Sequence, residues 1–150
     1  MTASLRPARV GDAPEITACV NAAYRHYIER LGKKPGPMLE DYAKSIRQHQ
    51  MHVAEQVDGI VGALVLMNTA EGFLLHMIAV HPSAQGTGVG RMLLEFAEAE
   101  ALRQGYRSIY LMTNEKMTEN QVLYAKIGYV LFDRREVDGY FRVLMRKELR

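Results

Sequence analysis

Cysteine is nearly absent: Cys19 stands alone in a chain of 150 residues. No intramolecular disulfide can form, which fits a reducing compartment. Cys19 itself is expected to serve as a small core hydrophobe on the first helix. Charge asymmetry is slight as well, with 19 Lys and Arg against 17 Asp and Glu and a formal net charge of +2. That balance argues against nucleic acid or an anionic membrane as a partner, while leaving room for a local basic site for one phosphorylated ligand. Long apolar runs are missing. The longest, Ile60 to Met67, is broken at Gly62 and falls far short of the roughly 20 residues of a membrane helix. Met1 to Ala13 holds no apolar stretch of the signal-peptide type, so a soluble, cytoplasmic protein is expected. The histidines, His26, His49, His52, His76 and His81, show no ligand spacing with acids or cysteine, and no metal is implied. Repeats, linkers and low-complexity tracts are also missing. What remains is ordinary globular composition, 48% hydrophobic and 24% charged. It suits one domain over residues 1–150 with one core.

Periodicity divides the chain into elements. Leu5 to Val10 reads as a short strand. Asp12-Ala13-Pro14-Glu15 reads as a helix start, with Asp12 as cap and Pro14 in the first turn. Ile16, Cys19, Val20, Ala23 and Tyr27 follow at helical spacing. Arg30 to Pro37, dense in proline and glycine, is expected as loop, and a second helix over Met38 to His49. Three strand-like runs come next: Met51 to Gln56, Ile60 to Met67 and Phe73 to Val80. Asp58-Gly59 marks a tight hairpin between the first two. Beyond His81-Pro82 and a glycine-rich turn lies an amphipathic helix. Its expected buried face is Val89, Met92, Leu93, Phe96, Ala97 and Leu102, and Gly105 ends it. Ser108 to Thr113 is a strand and Thr118 to Ile127 a helix. Tyr129 to Val137 and Tyr140 to Lys147 form a closing hairpin through Asp138-Gly139. The order is β-α-α-β-β-β-α-β-α-β-β. This is an α/β (α+β) arrangement with a mixed, mostly antiparallel sheet of six to seven strands and about four helices.

The segment Gln85-Gly86-Thr87-Gly88-Val89-Gly90-Arg91, between strand and helix, carries the most chemistry. Alternate glycines strip side chains from the turn, so backbone N–H groups can converge on an anion where the helix dipole also favours negative charge. A dinucleotide fingerprint does not fit, because Arg91 or Leu93 stands where its last glycine is needed. A P-loop does not fit either, since the turn ends Gly90-Arg91-Met92. A glycine-rich turn with only a structural role stays open. The pattern Q/R-x-x-G-x-G/A, met by Gln85, Gly88 and Gly90, resembles the pyrophosphate loop of the GNAT N-acetyltransferase superfamily. Leu123-Tyr124-Ala125-Lys126-Ile127-Gly128-Tyr129 is similar to that family's L-Y-x-x-x-G-F/Y segment. The order of elements over the whole chain follows the family too.

The resemblance implies acetyl-CoA as co-substrate and a fold that receives it along the fourth strand. Ile78, Ala79 and Val80 would pair with the pantetheine arm. The amides of Gly86, Thr87, Gly88, Val89, Gly90 and Arg91 would receive the pyrophosphate, with side-chain help from Gln85 and Arg91. Tyr124 falls where the family has a tyrosine near the CoA sulfur. Where many members carry an asparagine, seven residues before that tyrosine, this chain has Met117. Asn114 and Asn120 are nearby alternatives for contacting the CoA arm. The oxyanion of the transfer would meet a fourth-strand N–H, of Ala79 or a neighbour.

An unperturbed primary amine, with pKa about 10.4, is neutral only to about one part in two thousand at neutral pH, so a base must take its proton. His76 is the first candidate: strand alternation puts it on one face with Ile78 and Val80, and arylalkylamine-type members of the resembling family carry a histidine at a similar place. Glu115 and Glu119 are alternatives, and His81 reads as structural. Tyr24, Tyr27 and Tyr140 are expected to wall the acceptor pocket, which the irregular segment Tyr24 to Met38 and the hairpin around Asp138 to Arg142 should shape. The implied activity is transfer of an acetyl group from acetyl-CoA to a primary amine of a small molecule or peptide, by direct attack in a ternary complex. A non-catalytic acyl-CoA sensor and a nucleotide-binding module are the competing readings. Dimers are common in the resembling family, so a homodimer is compatible with the sequence.

Overall fold

A computed structural model describes residues 2–150. Among them seven strands form one sheet in the order β1-β2-β3-β4-β5-β7-β6. The strands are β1 (Ser4–Pro7), β2 (Gln50–Gln56), β3 (Gly59–Thr69), β4 (Gly72–Val80), β5 (Ser108–Asn114), β6 (Val130–Val137) and β7 (Tyr140–Glu148). The helices are α1 (Ala13–Tyr24), α2 (Tyr27–Leu31), α3 (Tyr42–Gln48), α4 (Val89–Arg103) and α5 (Thr118–Lys126). All ladders are antiparallel except β4 with β5, which is parallel. The mixed sheet agrees with expectation, with one helix more.

Each face of the sheet has its own core. On one side α1 lays down Ile16, Cys19, Val20 and Ala23 against Val53, Ala63, Val65, Met77 and Ala79, the expected stripe except for Tyr27, which opens α2 and packs elsewhere. On the other side α4 packs Val89, Leu93, Leu94, Ala97 and Ala101 over Leu64, Leu66, Phe73 and Leu75. The expected face holds except at Leu102: Met92 and Phe96 also pack against this core, and the buried face widens to take in Leu94 and Ala101. Ala101 continues the i, i+4 row of Val89, Leu93 and Ala97, whereas Leu102 lies to one side of it and is exposed.

Several local expectations are revised. The helix expected from Met38 begins at Tyr42, where Asp41 accepts a hydrogen bond from Lys44 N at 3.2 Å and so caps it. The expected loop Arg30 to Pro37 is partly ordered, since Arg30 and Leu31 complete α2 and Gly36–Leu39 is a 3-10 turn. Asp12 does not cap α1. Its carboxylate instead takes Arg6 at 2.8 and 3.0 Å and Arg9 N at 2.8 Å. Glu15 reaches across to Ile60 N at 2.6 Å rather than closing a capping box. The β2–β3 hairpin turns on Val57 and Asp58, with Gly59 already paired to Gln56. The β6–β7 hairpin turns as expected on Asp138-Gly139, both at positive φ (53° and 81°), the type I′ combination.

Candidate active site

The site begins where the sheet comes apart. β4 pairs with β5 only over Phe73–Leu75, against Ile109–Leu111. Beyond Leu75 the two strands separate, and the rest of β4 keeps only β3 as neighbour. Its polarity follows from one bond. His81 N donates to Val61 O at 2.8 Å, so the hydrogen-bonded pairs on that ladder are Ala79 with Ala63 and Met77 with Val65. Ile78 and Val80 therefore turn their backbone groups toward the open side. The Ile78 carbonyl accepts the Tyr24 hydroxyl at 2.7 Å, and the Val80 carbonyl accepts Gln85 Nε2 at 3.4 Å. The two N–H groups face the gap. The amide suited to an oxyanion is thus that of Ile78. The Ala79 N–H points at β3, although Ala79 does line the cleft.

That gap opens into a cleft of about 790 Å³. Ile78, Ala79 and Val80 form one wall, Gln85, Gly90 and Arg91 one end, and Asn120, Leu123 and Tyr124 of α5 the opposite wall. At the glycine turn, Gly86 and Gly88 hold φ of 79° and 92°, a conformation that only glycine adopts without strain. The first backbone bond of α4 runs from Met92 N to Gly88 O. The amides of Val89, Gly90 and Arg91 are therefore open, as at any helix start. The Val89 side chain lies in the core, so only its backbone serves the cleft. Thr87 bonds its hydroxyl back to Ala84 O, and its N–H also donates there at 3.3 Å, so the Thr87 amide is not open as expected. The Arg91 side chain is exposed and pairs with Glu95 at 2.9 Å, and Lys147 pairs with Glu98 at 3.0 Å. With both cations of the cleft already partnered, an anion there depends chiefly on the amides and the helix dipole.

A second, small cavity of about 50 Å³ lies past the splay. Tyr24, Ile78, Asn120 and Tyr124 line both spaces and mark where they meet. Tyr124 is buried, packs edge-on against Tyr129 at 5.7 Å, and has no hydrogen-bond partner for its hydroxyl among the described residues. Burial, with a smaller contribution from the Tyr27 oxygen, pushes its phenol up to about 12. Met117, standing where the resembling family carries an asparagine, packs with Tyr27, Leu31 and Tyr140. Asn120, one turn before Tyr124, faces both spaces.

His76 reaches the small cavity by a route that alternation did not anticipate. Val65 faces Met77 and Leu66 faces Leu75, so His76 is the extra residue of a β-bulge. Leu75 and Ile78 consequently pack into one core, three positions apart, and the expected shared face of His76, Ile78 and Val80 does not exist. The bulge aims His76 at Glu40, with Nε2 to Oε1 at 2.6 Å. Nothing in the sequence marks Glu40, a carboxylate between a 3-10 turn and a helix cap, as the partner of a distant strand histidine. Its second oxygen is buried without a partner. Glu119 pairs with Arg30 at 2.5 Å, Glu115 is exposed, and neither lines a cavity. His81 takes Ser83 N at 3.1 Å and is a turn residue, as expected.

Of the three tyrosines, Tyr24 and Tyr140 line the small cavity, and Tyr27 lines the large cleft instead. Burial raises the Tyr24 and Tyr27 phenols above their ordinary value. Tyr140 bonds its hydroxyl to Lys34 O. Lys33 Nζ sits 4.1 Å over the Tyr140 ring and donates to Gly139 O at 2.7 Å. These contacts hold the segment after α2 against the β6–β7 hairpin, over the small cavity.

A family model described as an acetyltransferase (GNAT) domain matches residues 47–131. The chain belongs to the GNAT acetyltransferase family. The matched stretch runs from the end of α3 into β6 and contains the splayed strand, the glycine turn and Tyr124. Among GNAT proteins of known structure, this chain is similar to the PaiA N-acetyltransferase of Thermoplasma acidophilum in complex with coenzyme A (TM-score 0.80, 16% identity, 99% of each chain). It is also similar to a GNAT family acetyltransferase of Elizabethkingia anophelis with acetyl-CoA bound (TM-score 0.76, 20% identity, 99% of each chain). These likenesses establish the GNAT fold. The mycothiol acetyltransferase of Jonesia denitrificans is 38% identical over 60 residues, 40% of this chain. The match spans 19% of that relative's length. No helix among the described residues is long and apolar enough to cross a membrane, and none of their His, Cys, Asp and Glu side chains cluster to hold a metal.

Proposed function

We propose that this GNAT protein transfers an acetyl group from acetyl-CoA to a primary amine by direct attack in a ternary complex. The observation that carries the reading is the junction of two spaces at Tyr124. One is open and ends on bare helix amides; the other is small and is lined by His76, with Glu40 bonded behind it. The open amides of α4 and the unpaired N–H groups of Ile78 and Val80 fit a diphosphate-bearing, amide-bearing arm. Acetyl-CoA supplies the acyl group there.

In the transfer, the amine nitrogen forms a bond to the acyl carbon, the carbon–sulfur bond breaks, and the sulfur keeps the electron pair. Two protons leave the nitrogen in all. The second departs from the tetrahedral adduct as the carbon–sulfur bond breaks and ends on the thiolate, giving the thiol. The first must leave the ammonium before attack. His76 receives it, with Glu40 holding the imidazole and stabilising the charge it gains. The Ile78 N–H faces the developing oxyanion. Tyr124 faces the departing thiolate. With its phenol at about 12 and an ordinary thiol at about 8.5, full proton transfer is uphill, so Tyr124 acts by a hydrogen bond to the sulfur. Cys19 supports direct attack over an acyl-cysteine route. It is buried on the sheet-facing side of α1, and burial pushes its thiol up to about 11.

The deciding assay is thiol release from acetyl-CoA across a panel of primary amines. Turnover with at least one amine is expected. Tight CoA binding with no turnover on any would replace the enzyme by an acyl-CoA sensor.

A further inference from the structure

Resting on the transferase reading, the small cavity also carries information about what it accepts. Its walls differ in charge. On the β4 side stand His76 and, behind it, Glu40. On the other side, Asn114 of β5 and Arg142 of β7 lie directly opposite one another in the ladder, and both line the cavity.

Arg142 is an unusual cation. It is half-buried, its Nε is fully buried without a hydrogen bond, and its side chain makes no ion pair or hydrogen bond among the described residues. Its guanidinium carbon lies 5.2 Å from the centre of the Tyr140 ring, which orients the group without satisfying its donors. A guanidinium whose Nε–H is taken from water without a partner is costly unless something in the site repays it. Asn114 is buried too. Its Oδ1 accepts Lys116 N at 2.9 Å, which fixes the carboxamide orientation and leaves its NH2 without a partner among the described residues. Two adjacent side chains thus offer donors only, in a space too small for a bulky group.

We propose that Arg142 and Asn114 form a carboxylate-binding subsite, and that the acceptor is a small amino acid-like zwitterion. Its carboxylate lies between the guanidinium and the Asn114 amide, and its amine lies a few bonds away, toward His76 and Tyr124. A planar carboxylate matches a planar guanidinium fork. A single unpaired guanidinium matches a single negative charge. The opposite wall, where the Glu40 carboxylate stands behind His76, favours the ammonium end, so the polarity of the cavity orients the acceptor with its nitrogen toward the thioester.

The test uses the full chain and matched sets of small compounds: amino acids, their carboxamides, the corresponding decarboxylated amines, and aminoalkylphosphonates. Thiol release is measured with each. Binding of each to the protein–CoA complex is measured separately by calorimetry. Amino acids are expected to exceed their decarboxylated and amide partners by about tenfold to a hundredfold in kcat/KM and in affinity, the usual weight of a charge-assisted contact. Arg142→Gln should collapse that ratio toward one, mainly through KM, and Arg142→Lys should restore part of it. Asn114→Ala, at a second position, should shrink the ratio in the same direction. Decarboxylated amines used as well as the acids, a preference for phosphonates, or a ratio untouched by Arg142→Gln would overturn the subsite. Carboxylate-dependent binding that Arg142→Gln abolishes, together with no turnover on any compound, would keep the subsite and overturn the transferase reading instead.

Discussion

In the proposed transfer, Tyr124 at the junction of the cavities and His76 in the small one act through chemistry that the rest of the fold only arranges. Tyr124 stays protonated across the working range, because burial holds its phenol near 12. Tyr124→Phe removes one hydroxyl and little volume. It should lower kcat by about a hundredfold, the lower end of what a positioned acid contributes, with CoA affinity nearly unchanged. Steady-state kinetics beside calorimetric CoA titration separates the two effects, and equal losses would make Tyr124 a packing residue. His76→Gln keeps a polar side chain opposite Glu40 but cannot carry the proton. The pH–rate profile should then rise at higher pH, since the amine must be drawn already neutral from solution. An unchanged profile would remove His76 as the base. Tyr124 was legible in the sequence because a local motif surrounds it. Glu40 and Arg142 were not, since each acquires its meaning from a neighbour far along the chain.

At the scale of elements, the site depends on how closely α4 approaches the sheet. Gly62 looked like an interruption in an apolar strand. It is instead the place where α4 touches β3. A Cβ there would come within 3.1 Å of Leu93 and Val89 side-chain atoms and 3.2 Å of the Ala79 carbonyl. Gly62→Val should cost about 1–3 kcal/mol by overpacking and tilt the start of α4, weakening CoA binding as well as lowering Tm. Loss of stability with unchanged CoA affinity would show that the glycine turn does not follow the helix. At the opposite edge of the sheet, Arg6 ties β1 to Asp12 and to Glu55 of β2. The Arg6 hydrogen bond holds the Asp12 carboxyl down near 2, against about 3.9 in an unfolded chain. A depressed carboxyl contributes stability above its unfolded pKa and loses it as pH falls toward its folded one. Asp12→Asn should therefore melt earlier than the parent at neutral pH, and the gap should close between about pH 4 and pH 2. A gap constant with pH would trace the effect to packing instead. Strand runs and hairpin dipeptides made most of these elements legible. The bulge at His76 was not, because it arises from register with β3 and not from any residue of β4.

For the whole molecule, a cleft made by two halves of one sheet should report its ligand as global stability. CoA at about a hundred times its dissociation constant should stabilise the fold by about 2.7 kcal/mol, a rise in Tm of roughly 5–10 °C for a chain of this size. ATP and NAD at the same concentrations should do far less, because they cannot fill the gap beside Ile78 and Val80. Stabilisation by either nucleotide alone, read by differential scanning fluorimetry, would sink the acetyl-CoA assignment.

Local pattern was enough for much of this protein. Alternation and helical spacing specify the elements, because burying one face of each is the main gain in folding. The glycine spacing before α4 specifies a bare turn, because positive φ and open amides are properties of a few consecutive residues. The separation of β4 from β5, the turn of Ile78 rather than Ala79 toward the cleft, and the meeting of His76 with Glu40 and of Arg142 with Asn114 were decided only in three dimensions. Each depends on register or on contacts between elements remote in sequence, and neither leaves a trace in the spacing of residues along one strand or helix.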